Sequence, residues 1–139
     1  MTGLPRILLL TKGLDIGGIE RIVVDLALGF RRCGVPVAVA VVNERRSRLI
    51  PQLEAAGVEV FPLGGTDRIG LGALRRLGRL VRRERFDVVH VHGPLPAVVV
   101  RILPTGGAVL VTTSHTVWSS LRWSTRVLWR LTARRDDAT

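Results

Sequence analysis

Apolar and polar positions alternate along this chain in blocks, and the blocks switch between two periods. Ile7-Leu8-Leu9-Leu10 is a continuous apolar run bounded by Arg6 and Thr11, the pattern of a strand buried on both faces of a parallel sheet. A polar, glycine-containing stretch comes next, ending in Gly17-Gly18. Ile19, Ile22, Val23, Leu26, Ala27 and Phe30 then recur at helical spacing. The paired glycines therefore stand where a strand's C-terminal end turns into a helix N-terminus. Two readings of that turn remain open from this stretch alone. It is either a tight connection that needs glycine for its dihedrals, or a place where unpaired backbone N–H groups receive an anion.

The same alternation continues. Arg31-Arg32-Cys33-Gly34 closes the first helix with basic residues and a glycine stop. The pattern then predicts a strand over 36–42, a helix over 47–56 capped by Ser47 with Pro51 inside it, a strand over 58–61 and a Gly-rich loop over 62–68. Leu71, Leu74, Leu77, Gly78 and Val81 trace one stripe of a third helix, with Arg75, Arg76, Arg79, Arg82 and Arg83 on a solvated outer face. A fourth strand over 87–92 closes at Gly93-Pro94. A short helix over 96–103, a turn over 104–107 and a fifth strand over 108–113 come after it, and the strand ends at Ser114-His115-Thr116. The segment 118–134 reads as a last helix. Trp118, Leu121, Thr125, Leu128 and Trp129 fall on one side of it, with Arg122, Arg126, Arg130 and Arg134 on an adjacent side and Trp123 among the arginines.

Strands and helices alternating with crossovers too long for hairpins imply an α/β class domain, a doubly wound parallel sheet with right-handed connections. No sixth strand comes after the last helix, so residues 1–139 read as a single domain that is incomplete at its C-terminus.

Composition changes this picture little. Hydrophobic residues make up 47% of the 139 residues and charged ones 23%, a globular balance. The net charge of +10 favours phosphates, anionic lipid or nucleic acid without choosing among them. Of the 21 basic residues only Lys12 is a lysine, a skew that weakens any argument from charge to a particular site. A single cysteine, Cys33, rules out an intrachain disulfide and fits a reducing compartment. The apolar stretch 88–111 is interrupted by His90, His92, Pro94, Arg101 and Gly106, so the expectation is a cytoplasmic protein, soluble or peripheral at the inner face of a membrane.

Candidate chemistry gathers where three predicted strands end: Gly17–Gly18, His92-Gly93-Pro94 and Ser114-His115-Thr116. In a doubly wound sheet these loops share one rim. His90 lies mid-strand and is expected to be a hydrogen-bonded core histidine. His92 stands between core and site, and His115 is the histidine placed for function. His90 and His92 share one side of a strand, but no carboxylate or cysteine nearby completes a ligand set, so no metal is expected. The dinucleotide fingerprint G-x-G-x-x-G is absent, as are a Walker loop and a nucleophile elbow. Glu44, after the second strand, is a weak ribose-binding candidate.

The ordered set of motifs resembles a family. Asp15-Ile16-Gly17-Gly18-Ile19-Glu20-Arg21 resembles the G-G-x-E-R opening of family 4 glycosyltransferases of the GT-B fold. Asp87-Val88-Val89-His90-Val91-His92-Gly93-Pro94 is similar to their D-V-V-H-x-H stretch. Thr112-Thr113-Ser114-His115-Thr116 resembles their T-x-H segment, and the Arg-rich helix ending at Asp137-Ala138 resembles the segment after it. The resemblance implies the N-terminal, acceptor-side, Rossmann-like half of an enzyme that transfers sugar from a nucleotide-sugar donor with retention, in glycan or glycolipid synthesis. It implies that Gly17 and Gly18 bind the donor diphosphate, that His115 is catalytic, and that Glu20 and His92 lie on the substrate side without a firm role. It also implies that no cofactor is bound, and that a C-terminal donor domain or partner chain supplies the rest, this chain alone being inactive. Acceptors of such enzymes are glycans or membrane-proximal lipids, and Arg122, Trp123, Arg126 and Arg130 are the expected membrane contacts.

Two alternatives stand beside this. One is a basic binding module for anionic membrane or nucleic acid, although no nucleic-acid motif such as paired strand aromatics is visible. The other is a different enzyme on a similar fold, a nucleotide-sugar epimerase or a reductase, which binding of a nicotinamide dinucleotide at the glycine turn would reveal.

Overall fold

In the computed structural model, which describes residues 3–66 and 69–137, the strands are β1 (Ile7–Thr11), β2 (Val37–Val41), β3 (Glu59–Pro62), β4 (Val88–His92) and β5 (Val109–Thr113). They lie parallel in the order β3-β2-β1-β4-β5. The helices are α1 (Gly18–Arg32), α2 (Ile50–Ala55), α3 (Leu71–Glu84), α4 (Pro94–Arg101) and α5 (Trp123–Thr132). This is the expected doubly wound, Rossmann-like α/β fold. Arg68 and Asp67 of the predicted Gly-rich loop, and Ala138, lie outside the described residues.

Side chains alternate across the sheet, and each face has its own helices. Ile7, Leu9, Val39 and Val41 pack against Val23, Val24 and Ala27 of α1 and Leu53 of α2. Leu8, Leu10, Ala38, Ala40, Val89 and Val91 pack against Ala73, Leu77 and Val81 of α3 and Ala97 and Val100 of α4. Both faces of β1 are thus covered, which is why its sequence is uninterrupted in apolar residues. Leu9 is level with His90 in the register, so His90 and His92 point to the α1 side of the sheet. That side is thinly covered over β5, where Val109 is 44% exposed.

Three predicted elements differ from the structure. The second helix begins at Ile50 rather than at Ser47, with Pro51 in its first turn, where the missing N–H costs nothing. Ser47 offers its backbone carbonyl to the Ile50 N–H at 3.0 Å in place of a side-chain cap. The fourth helix begins two residues earlier than expected, at Pro94, for the same reason.

The segment 118–134 is not one helix. Trp118–Ser120 is a 3₁₀ turn, Leu121 and Arg122 are extended, and α5 starts only at Trp123. Arg126 fastens this break, donating from Nε to the Leu121 carbonyl at 2.9 Å and from Nη2 to the Ser119 carbonyl at 2.7 Å. With the break, the faces rotate. Thr125 and Trp129 turn inward, but Trp118 and Leu128, which a single helix would put on the same side, are exposed at 38% and 47%.

After α5 the chain returns to the sheet. The Asp137 N–H donates to the Leu110 carbonyl at 2.9 Å, and the Leu110 N–H donates to Asp137 Oδ2 at 2.8 Å. The outer edge of β5 is met at this residue.

Candidate functional site

β1 and β4 are neighbours, yet the chain leaves them toward opposite faces, into α1 and into α4. This divergence opens a crevice beyond the strand ends, the place where an open α/β sheet receives ligands. A cavity of about 260 Å³ lies there, and its wall includes Thr11, Lys12, Glu20, His92, Gly93 and Pro94. A larger hollow of about 600 Å³ opens at the other end of the strands, beside Arg82, Arg85 and Gly106; of the motif residues only Asp87 lines it.

The loop from β1 to α1 is held from below by Leu14, which is fully buried. Its N–H donates to the Arg46 carbonyl at 2.7 Å and its carbonyl accepts from the Leu49 N–H at 2.9 Å. So supported, the loop brings Gly17 and Gly18 to the start of α1.

Neither glycine is there for its dihedrals. Gly17 is the N-cap with φ −163° and ψ 168°, extended backbone that any residue adopts, and Gly18 is the first helical residue. What they provide is space. A Cβ on Gly17 would crowd the Glu20 carboxylate, the movable end of a side chain that folds back over the helix N-terminus. A negative group at that end is favoured by the helix dipole and the unpaired N–H groups. A Cβ on Gly18 would meet no protein atom within 4 Å. The open side of this turn is therefore Gly18.

His92 and His115 meet at this rim. His92 Nδ1 lies 3.3 Å from His115 Nε2, with the rings nearly parallel at 8° and their centroids 5.6 Å apart. His92 is 2% exposed and His115 is exposed, so the pair joins the cavity wall to the surface. Among the described residues the Nε2 of His92 meets no hydrogen-bond partner. His90 lies against His92 with ring centroids 4.2 Å apart and planes tilted by 35°, and its Nε2 lies 2.7 Å from Thr113 Oγ1. It is hydrogen-bonded within the fold, as expected.

Burial removes solvent from the charged form of His92, and His90 and His115 add repulsion, so its pKa falls from 6.5 to about 3. The pKa of His90 is lowered as well, by burial first and by His115 second. Both rings are therefore neutral at physiological pH, each with one donor and one acceptor nitrogen.

The stability consequence has a definite sign. The unfolded chain takes up a proton near 6.5, whereas folded His92 resists protonation until about pH 3. Stability is thus complete above 6.5 and is lost as pH falls through that window. Between pH 7.5 and 5 carboxylates remain mostly ionised, since their reference pKa is about 4. The melting temperature is expected to drop over this interval, and to drop less in His92→Gln. An identical acid response in the variant would remove His92 as its source.

Lys12 carries no sequence signal strong enough to mark it, and Gly93 and Thr113 enter the sequence reading only as parts of motifs. Lys12 lines the cavity, and its being the chain's only lysine was the available clue. Gly93, the N-cap of α4, has φ +101°, a conformation nearly closed to other residues. Thr113 is visible only once β4 and β5 are paired. Arg122, Trp123, Arg126 and Arg130 lie on or beside α5, and none of them lines the cavity. Glu44 is exposed and also lies outside it.

The description Glycosyltransferase Family 4 belongs to the family model that matches residues 16–138, a span that includes Gly17, Gly18, Glu20, His92 and His115. Among curated proteins no sequence matches the chain significantly. With most of the chain matched and its fold doubly wound, the chain belongs to Glycosyltransferase Family 4.

Proposed function

We propose that this chain is the acceptor-side domain of a retaining glycosyltransferase of GT-B architecture, working on a nucleotide-sugar donor in the cytoplasm. The observation that supports the reading is a partial convergence: Glu20 and His92 line one switch-point crevice, His115 lies 3.3 Å from His92, and Gly17 and Gly18 begin α1 beside the crevice residues Ile19 and Glu20 while Gly17 itself lines a neighbouring hollow. In this reading the α1 N-terminus faces the donor diphosphate, and its N–H groups stabilise the charge that develops as the nucleoside diphosphate leaves. Gly18 allows the phosphate to approach the backbone. The diphosphate displaces the Glu20 carboxylate, which then accepts hydrogen bonds from sugar hydroxyls. His115, exposed and backed by neutral His92, contacts the transferred sugar near the reacting carbon. A second α/β domain, from further sequence or another chain, holds the nucleoside. The acceptor is a glycan or a lipid-linked sugar, and no resident cofactor or metal takes part.

The test is a titration of isotope-labelled chain with UDP-glucose as probe and NAD as counter-probe, read by the amide signals of Gly17 and Gly18 and the ring signals of His92 and His115. The sugar nucleotide is expected to move these signals and NAD to leave them in place. Stronger shifts with NAD would favour the reductase alternative. Sugar transfer by the 139-residue chain alone, at a rate ordinary for such enzymes, would overturn the division between two domains.

A further inference from the structure

Helices α1, α2 and α3 each give way, within two residues, to a residue in the left-handed backbone region. After α1 and α2 it is a glycine, Gly34 at φ +75° and Gly57 at φ +76°, the usual choice because glycine has no Cβ to clash. After α3 it is Arg85, at φ +51° and ψ +54°. Among the described residues no other non-glycine has a positive φ. An arginine held there costs free energy that a glycine would not, and such an outlier points to function where the side chain has something to act on.

Arg85 lines the hollow at the N-terminal ends of the strands. Its volume of about 600 Å³ lies within the range of about 300–1,000 Å³ usual for small-molecule sites. Val81, Phe86 and Ala108, all buried, give it an apolar floor. Arg82 reaches it from α3, and a Cβ on Gly106 would stand 4.0 Å from Arg82 Cγ, so the arginine stem lies along the loop between α4 and β5. Neither guanidinium meets a carboxylate among the described residues. In the loop, the Ala108 N–H donates to the Thr105 carbonyl at 3.2 Å. Gly106 and Gly107, at φ +64° and +92°, are the central residues of that turn. Their own N–H groups donate to no backbone carbonyl among the described residues, which leaves two adjacent donors at the wall. Asp87 is the acid of this wall, and its Oδ2 accepts from the Arg6 N–H at 2.7 Å.

We infer that this hollow is a second ligand site, for the phosphate ester of a sugar or polyol, with Arg82 and Arg85 on the phosphate and Asp87 accepting from hydroxyls. Guanidinium groups and unpaired backbone N–H groups are the donors that phosphate oxygens take. Asp87 opposes a bare anion, whereas a ligand that also carries hydroxyl donors makes use of it. The apolar floor suits the C–H face of a ring. Strand β4 is five residues long, about 17 Å, and separates this hollow from His92 at its far end. The second site therefore does not rest on the sugar-transfer reading of the crevice.

The test titrates the isotope-labelled chain with glucose 6-phosphate, glucose and inorganic phosphate, read by the amide signals of Gly106 and Gly107. Glucose 6-phosphate is expected to move them saturably and to raise the melting temperature with its concentration. Inorganic phosphate should bind on the order of tenfold more weakly for want of the hydroxyl contacts, and glucose should leave the signals in place. Arg85→Gly relieves the left-handed backbone, so it should melt no lower than the parent yet bind at least about tenfold more weakly. Arg82→Gln should also weaken binding, whereas Arg75→Gln, the same change of charge elsewhere on α3, should leave it unchanged. Equal losses from those two variants would assign binding to net charge and overturn the inference. So would parental affinity in Arg85→Gly, or inorganic phosphate binding as tightly as the ester. Shifts at Gly17, Gly18 and His92 in place of Gly106 and Gly107 would put the ligand in the crevice, removing the second site and leaving the sugar-transfer reading intact.

Discussion

Arg101→Ala is expected to lower folding stability by about 3–5 kcal/mol, the range for breaking a buried ion pair from one side. The Arg101 side chain is fully buried and Asp136 is 3% exposed. Nε donates to Asp136 Oδ1 at 2.7 Å, Nη2 donates to Oδ2, and Nη1 donates to Thr132 Oγ1 at 3.3 Å. The guanidinium also lies over the Trp129 ring. One side chain on α4 therefore holds α5 and the chain beyond it, including the Asp137 contact to β5. Truncation leaves a carboxylate buried without its guanidinium and a cavity beneath Trp129. Small domains hold only about 5–15 kcal/mol in total, so the variant should be partly unfolded at room temperature. Urea denaturation monitored by circular dichroism measures this. Combining Arg101→Met with Asp136→Leu should recover much of the loss, because an apolar pair of similar volume removes the buried charge. A loss under about 1 kcal/mol from Arg101→Ala, the scale of an exposed pair, would mean that water reaches this contact.

The strands were legible because a parallel strand buried on both faces has to be continuously apolar, and Leu8 to Leu10 and Val37 to Val41 are. Helix α1 was legible because its single buried face repeats with helical period and Gly34, at φ +75°, ends it. A parallel sheet brings the C-terminal ends of its strands to one rim, so Gly17–Gly18, His92 and His115 could be grouped by strand ends alone. The contact between the two imidazoles could not be foreseen, since it depends on how the side chains turn once β4 and β5 are in register.

The last helix departs from its periodicity for a physical reason. Periodicity assumes that apolar residues point inward, and α5 points Trp123, Val127 and Leu131 outward while its anchor is an arginine on another helix. In the sequence Arg101 only interrupts an apolar run. Its partner is 35 residues away, beyond any local pattern. The glycine turn was half legible: the sequence located it, but only the dihedrals separate a conformational need from a need for space.

That separation makes a paired substitution informative. Gly18→Val is expected to fold with a melting temperature close to that of the parent, because its Cβ meets no protein atom within 4 Å and the position is helical. Sugar-nucleotide affinity should nonetheless fall at least about tenfold, or about 1.4 kcal/mol, because the side chain occupies the approach to the α1 N-terminus. Gly93→Ala should do the reverse. Its Cβ would lie 3.8 Å from Pro96 Cδ, an ordinary contact, so space is not what glycine provides there. The strain comes from φ +101° and costs about 1–3 kcal/mol, felt at the start of α4 and at the neighbouring His92. The measurement is the same UDP-glucose titration, run beside a thermal melt on each variant. Loss of binding in Gly18→Val without loss of stability separates a ligand-facing glycine from a structural one. If that variant binds as the parent does, the glycine pair is a connection between β1 and α1 and nothing more.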